Sequence, residues 1–195
     1  MTIMMDRNSS DPGPVTALLQ RSVDGDPGAR DEVWSLVQHE LKALARVRLA
    51  SESAAATWQP TDLVNEVWLK LNGLKMDLRG RSHFMAMAAT AMRRVLIDHA
   101  RERRRDKRGG GIRVVTLNSQ LAGVLATPDV EILDLDRALN ELAELDERKA
   151  QAIELSYFGG LTDAEVAEAL AVSEPTVKRD LRSARAWLAT VLGAA

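Results

Sequence analysis

The chain contains no cysteine among its 195 residues, which excludes disulfides, thiolate metal sites and a cysteine nucleophile. Aromatic residues make up only 4 %, and together with abundant Ala, Leu, Glu and Arg this favours helices over sheet. Histidine is scarce as well. His83 and His99 stand sixteen residues apart and His39 falls in an earlier helical segment, so no HxxxH-type ligand pair exists. The Asp98-His99 dipeptide is similar to one found in metal phosphohydrolases, but no other histidine or acid follows at a suitable spacing. Gly109–Gly111 trail a helical pattern without the lysine-serine sequel of a phosphate-cradling loop. Neither a metal nor a cofactor is expected, and the chain is not expected to be an enzyme. The opening MTIMMDRNSSDPGP has no long apolar run, so neither a signal peptide nor a membrane anchor is expected, and a cytoplasmic location follows.

Strong net charge is also missing: the formal balance is −2. Its distribution is far from even. Arg81–Arg113 carry ten Arg/Lys against three Asp/Glu, a local +7, whereas Asp129–Glu168 carry three against twelve, a local −9. Such asymmetry points to two pieces with different faces or partners.

The window most rich in signal is Thr162–Leu188, TDAEVAEALAVSEPTVKRDLRSARAWL. Thr162 and Glu165 form a Thr-x-x-Glu capping box, which predicts a helix start. Val166, Ala167 and Leu170 give that helix its apolar face, and Ala171-Val172 lies in a turn at a place often held by glycine. Ser173 can cap a second helix, with Pro175 harmless in its first turn. Val177, Leu181, Ala184 and Leu188 recur at helical spacing, which leaves Thr176, Lys178, Arg179, Arg182 and Arg185 outside. A short helix with its N-terminal turn and basic side chains presented outward suits a DNA major groove. An ordinary helical hairpin with a solvated basic face would leave the same pattern in this window.

Along the rest of the chain, residues 1–14 read as a loose tail and Val15–Val23 as a helix. A second helix carries Trp34, Val37, Leu41, Leu44 and Leu49 inward. Pro60-Thr61 opens a third, with Thr61 as cap and Leu63, Val64, Val67, Trp68 and Leu71 as its stripe. After a polar loop, a long helix runs from His83 to about Arg108, with Asp98 placed to pair with Arg94 one turn away. Residues 109–130 show no helical period and read as a flexible linker. Helices marked by Ile132, Leu135, Leu139 and Leu142, and by Asp146–Phe158 with Gly159-Gly160 closing it, complete the pattern. The expected architecture is all-α: one helical domain over 15–108 and a second, ending in the helix-turn-helix, over 131–192.

In that order the motifs GDPGARDEVW, QPTDLVNEVWLKL, DLRGRSHFMAMAATAMRRVLIDHARERRRDKRGGG and ELDERKAQAIELSYFGGLTDAEVAEALAVSEPTVKRDLRSARAWL resemble bacterial extracytoplasmic-function (ECF) sigma factors, which keep only the second and fourth conserved sigma regions. The resemblance spans about Leu18 to Leu188. It implies a subunit that directs core RNA polymerase to promoters and helps melt the minus-ten region, in contact with the β′ clamp helices, the β flap and promoter DNA. An anti-sigma factor is a further partner the resemblance allows, and the sequence does not show one.

Residue by residue, Asp62, Leu63, Asn65, Glu66 and Val67 resemble the segment that docks on the clamp helices. Asp62 and Glu66 lie one turn apart and can meet basic side chains, while Leu63 and Val67 add apolar contact. The competing reading is that these acids merely favour a helix N-terminus. Asn65 departs from the Gln or His common in the family. Asp77, Arg79, Gly80, Arg81, Ser82 and His83 resemble a loop that captures a base flipped out of the minus-ten element, though a plain surface loop looks similar. Arg93, Arg94, Arg101, Arg104 and Arg105 resemble the basic helix that follows the promoter strands. Ser173, Glu174, Thr176, Lys178, Arg179, Arg182 and Arg185 resemble readers of the minus-thirty-five element. Glu174 either accepts from a cytosine amino group or simply caps its helix. The alternative function is a stand-alone helix-turn-helix repressor or activator, which would need a dimer face or ligand pocket where this chain has a docking helix and a basic helix.

Overall fold

The computed structural model describes residues 13–26, 28–49, 58–72, 80–106, 116–117 and 130–193. Eight helices carry most of these residues: α1 Pro14–Val23, α2 Ala29–Leu49, α3 Pro60–Asn72, α4 Arg81–Asp106, α5 Ile132–Leu145, α6 Glu147–Gly159, α7 Asp163–Ala169 and α8 Glu174–Gly193. The fold is all-α. One two-residue antiparallel ladder accompanies the helices, β1 Thr116–Leu117 with β2 Val130–Glu131, and it pairs Thr116 with Glu131 and Leu117 with Val130. Most of the expected linker and the N-terminal tail to residue 12 lie outside the described residues.

Local chemistry sets the helix ends. Asp146 caps α6 by accepting the Lys149 N–H at 3.2 Å, and Gly160 closes it in the left-handed region at φ 64°. The cap of α3 is not Thr61, which lies inside the helix. Pro60 takes the first helical position, where its fixed φ and missing N–H fit, so the cap shifts back to Gln59. The Gln59 N–H donates to the Asp62 carboxylate at 2.8 Å, and its carbonyl accepts from Leu63 at 3.3 Å. Similarly α4 starts at Arg81 instead of His83, because the Gly80 carbonyl already accepts the Phe84 N–H at 3.0 Å.

Helices α1–α4 pack on one another, as do α5–α8, and α4 then lies against α5, α6 and α7 while α2 touches α6. One continuous core results, running from Leu41, Leu63, Phe84 and Met92 to Leu135, Leu139, Phe158 and Leu188. Each such side chain contributes about 1.5–3 kcal/mol through removal from water. Gly159 marks how closely α6 approaches α4: a Cβ there would meet the Ala89 Cβ at 2.9 Å and the Met85 carbonyl oxygen at 3.4 Å.

Candidate nucleic-acid interface

The C-terminal reader is built from its caps outward. The Thr162 N–H donates to the Glu165 carboxylate at 2.9 Å while the Glu165 N–H donates back to the Thr162 hydroxyl at 3.3 Å, a closed capping box for α7. Burial pushes the Glu165 carboxyl upward, but the Thr162 N–H and hydroxyl together with Arg81 outweigh it and hold the group below its ordinary range. Ala171 turns the chain at φ 53°, and the Ser173 hydroxyl then accepts the Thr176 N–H at 3.4 Å to start α8. Val177, Leu181, Ala184 and Leu188 are all buried along α8. Asp180 is buried beside them and takes Arg148 of α6 at 2.6 Å, which fixes the roll of α8 about its axis.

That seating leaves Ser173, Glu174, Lys178, Arg179 and Arg182 exposed, with Thr176 and Arg185 half-buried. Lys178 lies 2.6 Å from Glu174 on the next turn, and the hydrogen bond to that carboxylate raises its pKa. The outward basic residues Lys178, Arg179 and Arg182 begin one turn into α8, on a helix of the kind a major groove admits.

The basic helix is less open than its sequence suggests. Arg94, Arg101, Arg104 and Arg105 are exposed on α4. The last three line an open cleft together with Arg137 of α5. Arg93 differs from the rest of the expected row. Its side chain is only 13 % exposed and is held 2.7 Å from Asp136 of α5 and 2.6 Å from Glu154 of α6. Position 93 lies on the side of α4 that meets α5 and α6, about 100° round the helix from Arg94. Asp98 likewise pairs with Lys70 of α3 at 3.2 Å, where Arg94 was the expected partner.

At the start of α4, Gly80 and Ser82 are buried and Arg81 and His83 half-buried. Arg81 is clamped between Glu40 of α2 at 2.5 Å and Glu165 of α7. The Ser82 hydroxyl donates to Glu168 of α7 at 2.8 Å. Asp77 and Arg79 lie outside the described residues.

On α3, Asp62, Asn65 and Glu66 face solvent in one patch. Leu63 and Val67, expected to add apolar contact to a partner, are fully enclosed in the core, because they sit on the stripe that packs against α2 and α4. The apolar member of the outward patch is Leu69 instead, 70 % exposed and one turn beyond Asn65. Trp68 stacks on Trp34 of α2 with ring centroids 4.5 Å apart, which steadies the helix that presents the patch.

A family model described as "ECF sigma factor" matches residues 12–193. The chain belongs to the ECF sigma factor family. Sigma factors of this family bind core RNA polymerase and promoter DNA to initiate transcription, and the match embraces all eight helices from α1 to α8. No curated protein matches the chain. Among the described residues, no helix of this sigma factor is long and apolar enough to cross a membrane, and no cluster of His, Asp and Glu is placed to hold a metal ion.

Sequence reading missed several residues of the sigma factor that hold the two helix groups together. Arg48 of α2, 6 % exposed, donates to the Tyr157 carbonyl of α6 and lays its guanidinium 3.9 Å above the Tyr157 ring. Burial lowers the Arg48 pKa and pushes the Tyr157 phenol up to about 12, with Arg48 pulling the phenol the other way. The available signal was an arginine next to Leu49 on a stripe otherwise made of Val37, Leu41 and Ala45. Within the first helix group, half-buried His99 stacks on Trp58 at 3.8 Å.

Proposed function

We propose that this sigma factor reads its promoters in two places while docked on polymerase through a third. The outer face of α8, with Ser173, Glu174, Thr176, Lys178, Arg179, Arg182 and Arg185, takes the minus-thirty-five element in the major groove. The start of α4 and the preceding segment, from Asp77 to His83, capture a base of the minus-ten element, and the exposed arginines of α4 follow the backbone of the opened strands. Asp62, Asn65, Glu66 and Leu69 bind the β′ clamp helices, and α5–α8 meet the β flap. The chain acts in the cytoplasm, where transcription takes place.

The observation that carries this reading is the seating of α8: four buried apolar residues and the Arg148–Asp180 pair fix its roll so that Lys178, Arg179 and Arg182 point outward from its second and third turns. Arginine and lysine there give both phosphate grip and base-edge donors. The test is reconstitution with core RNA polymerase and run-off transcription on genomic templates. Promoter-dependent transcripts that require the chain are expected. A protein that footprints DNA alone and never supports a transcript is a repressor or activator instead.

A further inference from the structure

We propose that a cavity between α2, α4 and the turn joining α6 to α7 binds a small monocarboxylate with an apolar body, its carboxylate meeting the buried Arg48 guanidinium. The cavity has a volume of about 330 Å³, enough for a small organic molecule. None of the α8 readers and none of the α3 docking residues lines it, and of the residues assigned to DNA only Arg81 does.

Arg48 lines this cavity and is the one buried charge left without a counter-charge among the described residues. It is 6 % exposed, and the other buried charged residues, Asp136 and Asp180, take Arg93 and Arg148 respectively. No carboxylate faces Arg48, and burial is what lowers its pKa. A guanidinium has five N–H donors. Here one nitrogen donates to the Tyr157 carbonyl, while Nε is buried without an acceptor. The Tyr157 ring, 3.9 Å from the guanidinium carbon, offsets part of the cost of burying the charge but brings no anion.

The two acids on the cavity wall are engaged elsewhere. Glu40 and Glu165 both hold Arg81, and Glu165 also closes the α7 capping box. Glu40 and Arg81 are 50 % and 35 % exposed at their side chains, so this cluster lies toward solvent and Arg48 lies inward. Much of the remaining wall is apolar, from Leu44, Val47, Met85 and Leu161. Gly160 adds bare backbone to it, where a Cβ would meet the Leu44 Cδ2 at 2.6 Å.

That combination selects a chemistry. A carboxylate offers two coplanar oxygens to guanidinium N–H groups, and an apolar body gains by leaving water along the wall. An inorganic anion loses its hydration without the second gain, and a neutral amide brings no charge to Arg48. The competing role for Arg48 is that of a cation capping the C-terminal turn of α6, where the Tyr157 carbonyl lies. A cap of that kind needs no ligand.

The test titrates the full chain, isotope-labelled at its methionine methyls, with sodium octanoate, octanamide and sodium sulfate. Met85 lines the cavity and Met92 of the same helix does not, although both are buried. Octanoate should shift the Met85 resonance saturably and leave Met92 in place. Octanamide should bind about tenfold or more weakly, since it lacks the charge, and sulfate should leave Met85 unmoved. Arg48→Met should reduce octanoate affinity to that of octanamide. Ala43→Trp, at an exposed position on the cavity wall, should abolish the shift with either compound. If Arg48→Met does not fold, the octanamide comparison and Ala43→Trp decide the matter. A Met85 resonance that ignores octanoate, equal affinity for octanoate and octanamide, or undiminished binding by Ala43→Trp each overturns the site. Arg48 is then a cap of α6 and nothing more, and the sigma reading stands untouched.

Discussion

Arg48 of α2 sits with its guanidinium 3.9 Å above the ring of Tyr157 on α6 while donating to the same residue's carbonyl. The pair is a buried cation roofing a buried phenol, and it joins the two helix groups at a point where neither meets solvent. Tyr157 is the only tyrosine in the chain, so its ionisation is optically isolated. Burial holds its phenol at about 12 against an ordinary 10.0. A raised acid pKa favours the protonated form in the folded state, so this stability is complete below pH 10 and is lost as pH rises through about 12. Absorbance titration of native protein should show a midpoint near 12, returning to the ordinary value in denaturant. A native midpoint at the ordinary value would mean that Tyr157 is open to water.

For the C-terminal reader, Arg179→Ala is the sharpest probe because Arg179 is exposed and packs against nothing in the core. If it reads a base edge, the loss is roughly 1–3 kcal/mol at one promoter position, with specificity relaxed there. If it holds a phosphate, binding weakens across all sequences and the salt slope falls by about one unit. In either case polymerase binding and thermal stability are unchanged. Competition on promoter variants at several salt concentrations separates the two outcomes, and an unchanged promoter profile removes Arg179 from the reader.

On the docking patch, Asp62→Asn/Glu66→Gln and Leu69→Ser should each lower core polymerase affinity in pull-down. Leu69 is 70 % exposed, so its change should leave the melting temperature within the small range typical of surface substitutions. Leu63→Ala behaves in the opposite way. It opens a cavity in a closed core and should cost about 2–5 kcal/mol of stability whatever its effect on polymerase. Equal polymerase affinity for Leu69→Ser and the parent chain would move the docking surface elsewhere.

Glu165 links the α7 capping box to Arg81. Its carboxyl is held below an ordinary 4.5, and the groups that face it are Thr162, Arg81 and, across the guanidinium, Glu40. A depressed acid pKa contributes stability that is full above the unfolded value and disappears as pH falls through the folded one. Glu165→Gln keeps an acceptor for the Thr162 N–H but loses the charge. Its melting temperature should lie below that of the parent at pH 7 and converge with it as pH drops below 4.5. A constant difference at all pH values would assign the loss to packing.

Much of this fold can be read from periodicity and caps, because both are local. The Val177–Leu188 stripe, the Thr162–Glu165 box and the Gly160 stop need only neighbours within a turn or two. What cannot be read locally is which face of a uniformly basic helix another element will cover. Arg93 and Arg94 are adjacent in sequence, yet one is enclosed by Asp136 and Glu154 and the other is exposed. Leu63 and Val67 show the same limit from the apolar side: helical spacing marked them as a stripe but not as a stripe already occupied by α2 and α4. The charge asymmetry did carry the signal for the α4 seam, without saying that its two halves would meet.

The turn between α7 and α8 offers a prediction that isolates the backbone. Ala171 adopts φ 53°, the one non-glycine residue with positive φ among those described. An L side chain there places its Cβ too close to the following carbonyl oxygen, at a cost of about 1–2 kcal/mol. Glycine removes that strain but gains freedom in the unfolded chain, which returns part of the difference. Ala171→Gly should therefore raise stability by about 0.5–1 kcal/mol, seen as a higher midpoint in urea with an unchanged slope. Ala171 is exposed, so no lost packing obscures the result. If α8 reads DNA as proposed, promoter affinity should rise or stay level. A drop in stability would show that the Ala171 methyl makes a favourable contact outweighing the strain of its left-handed backbone.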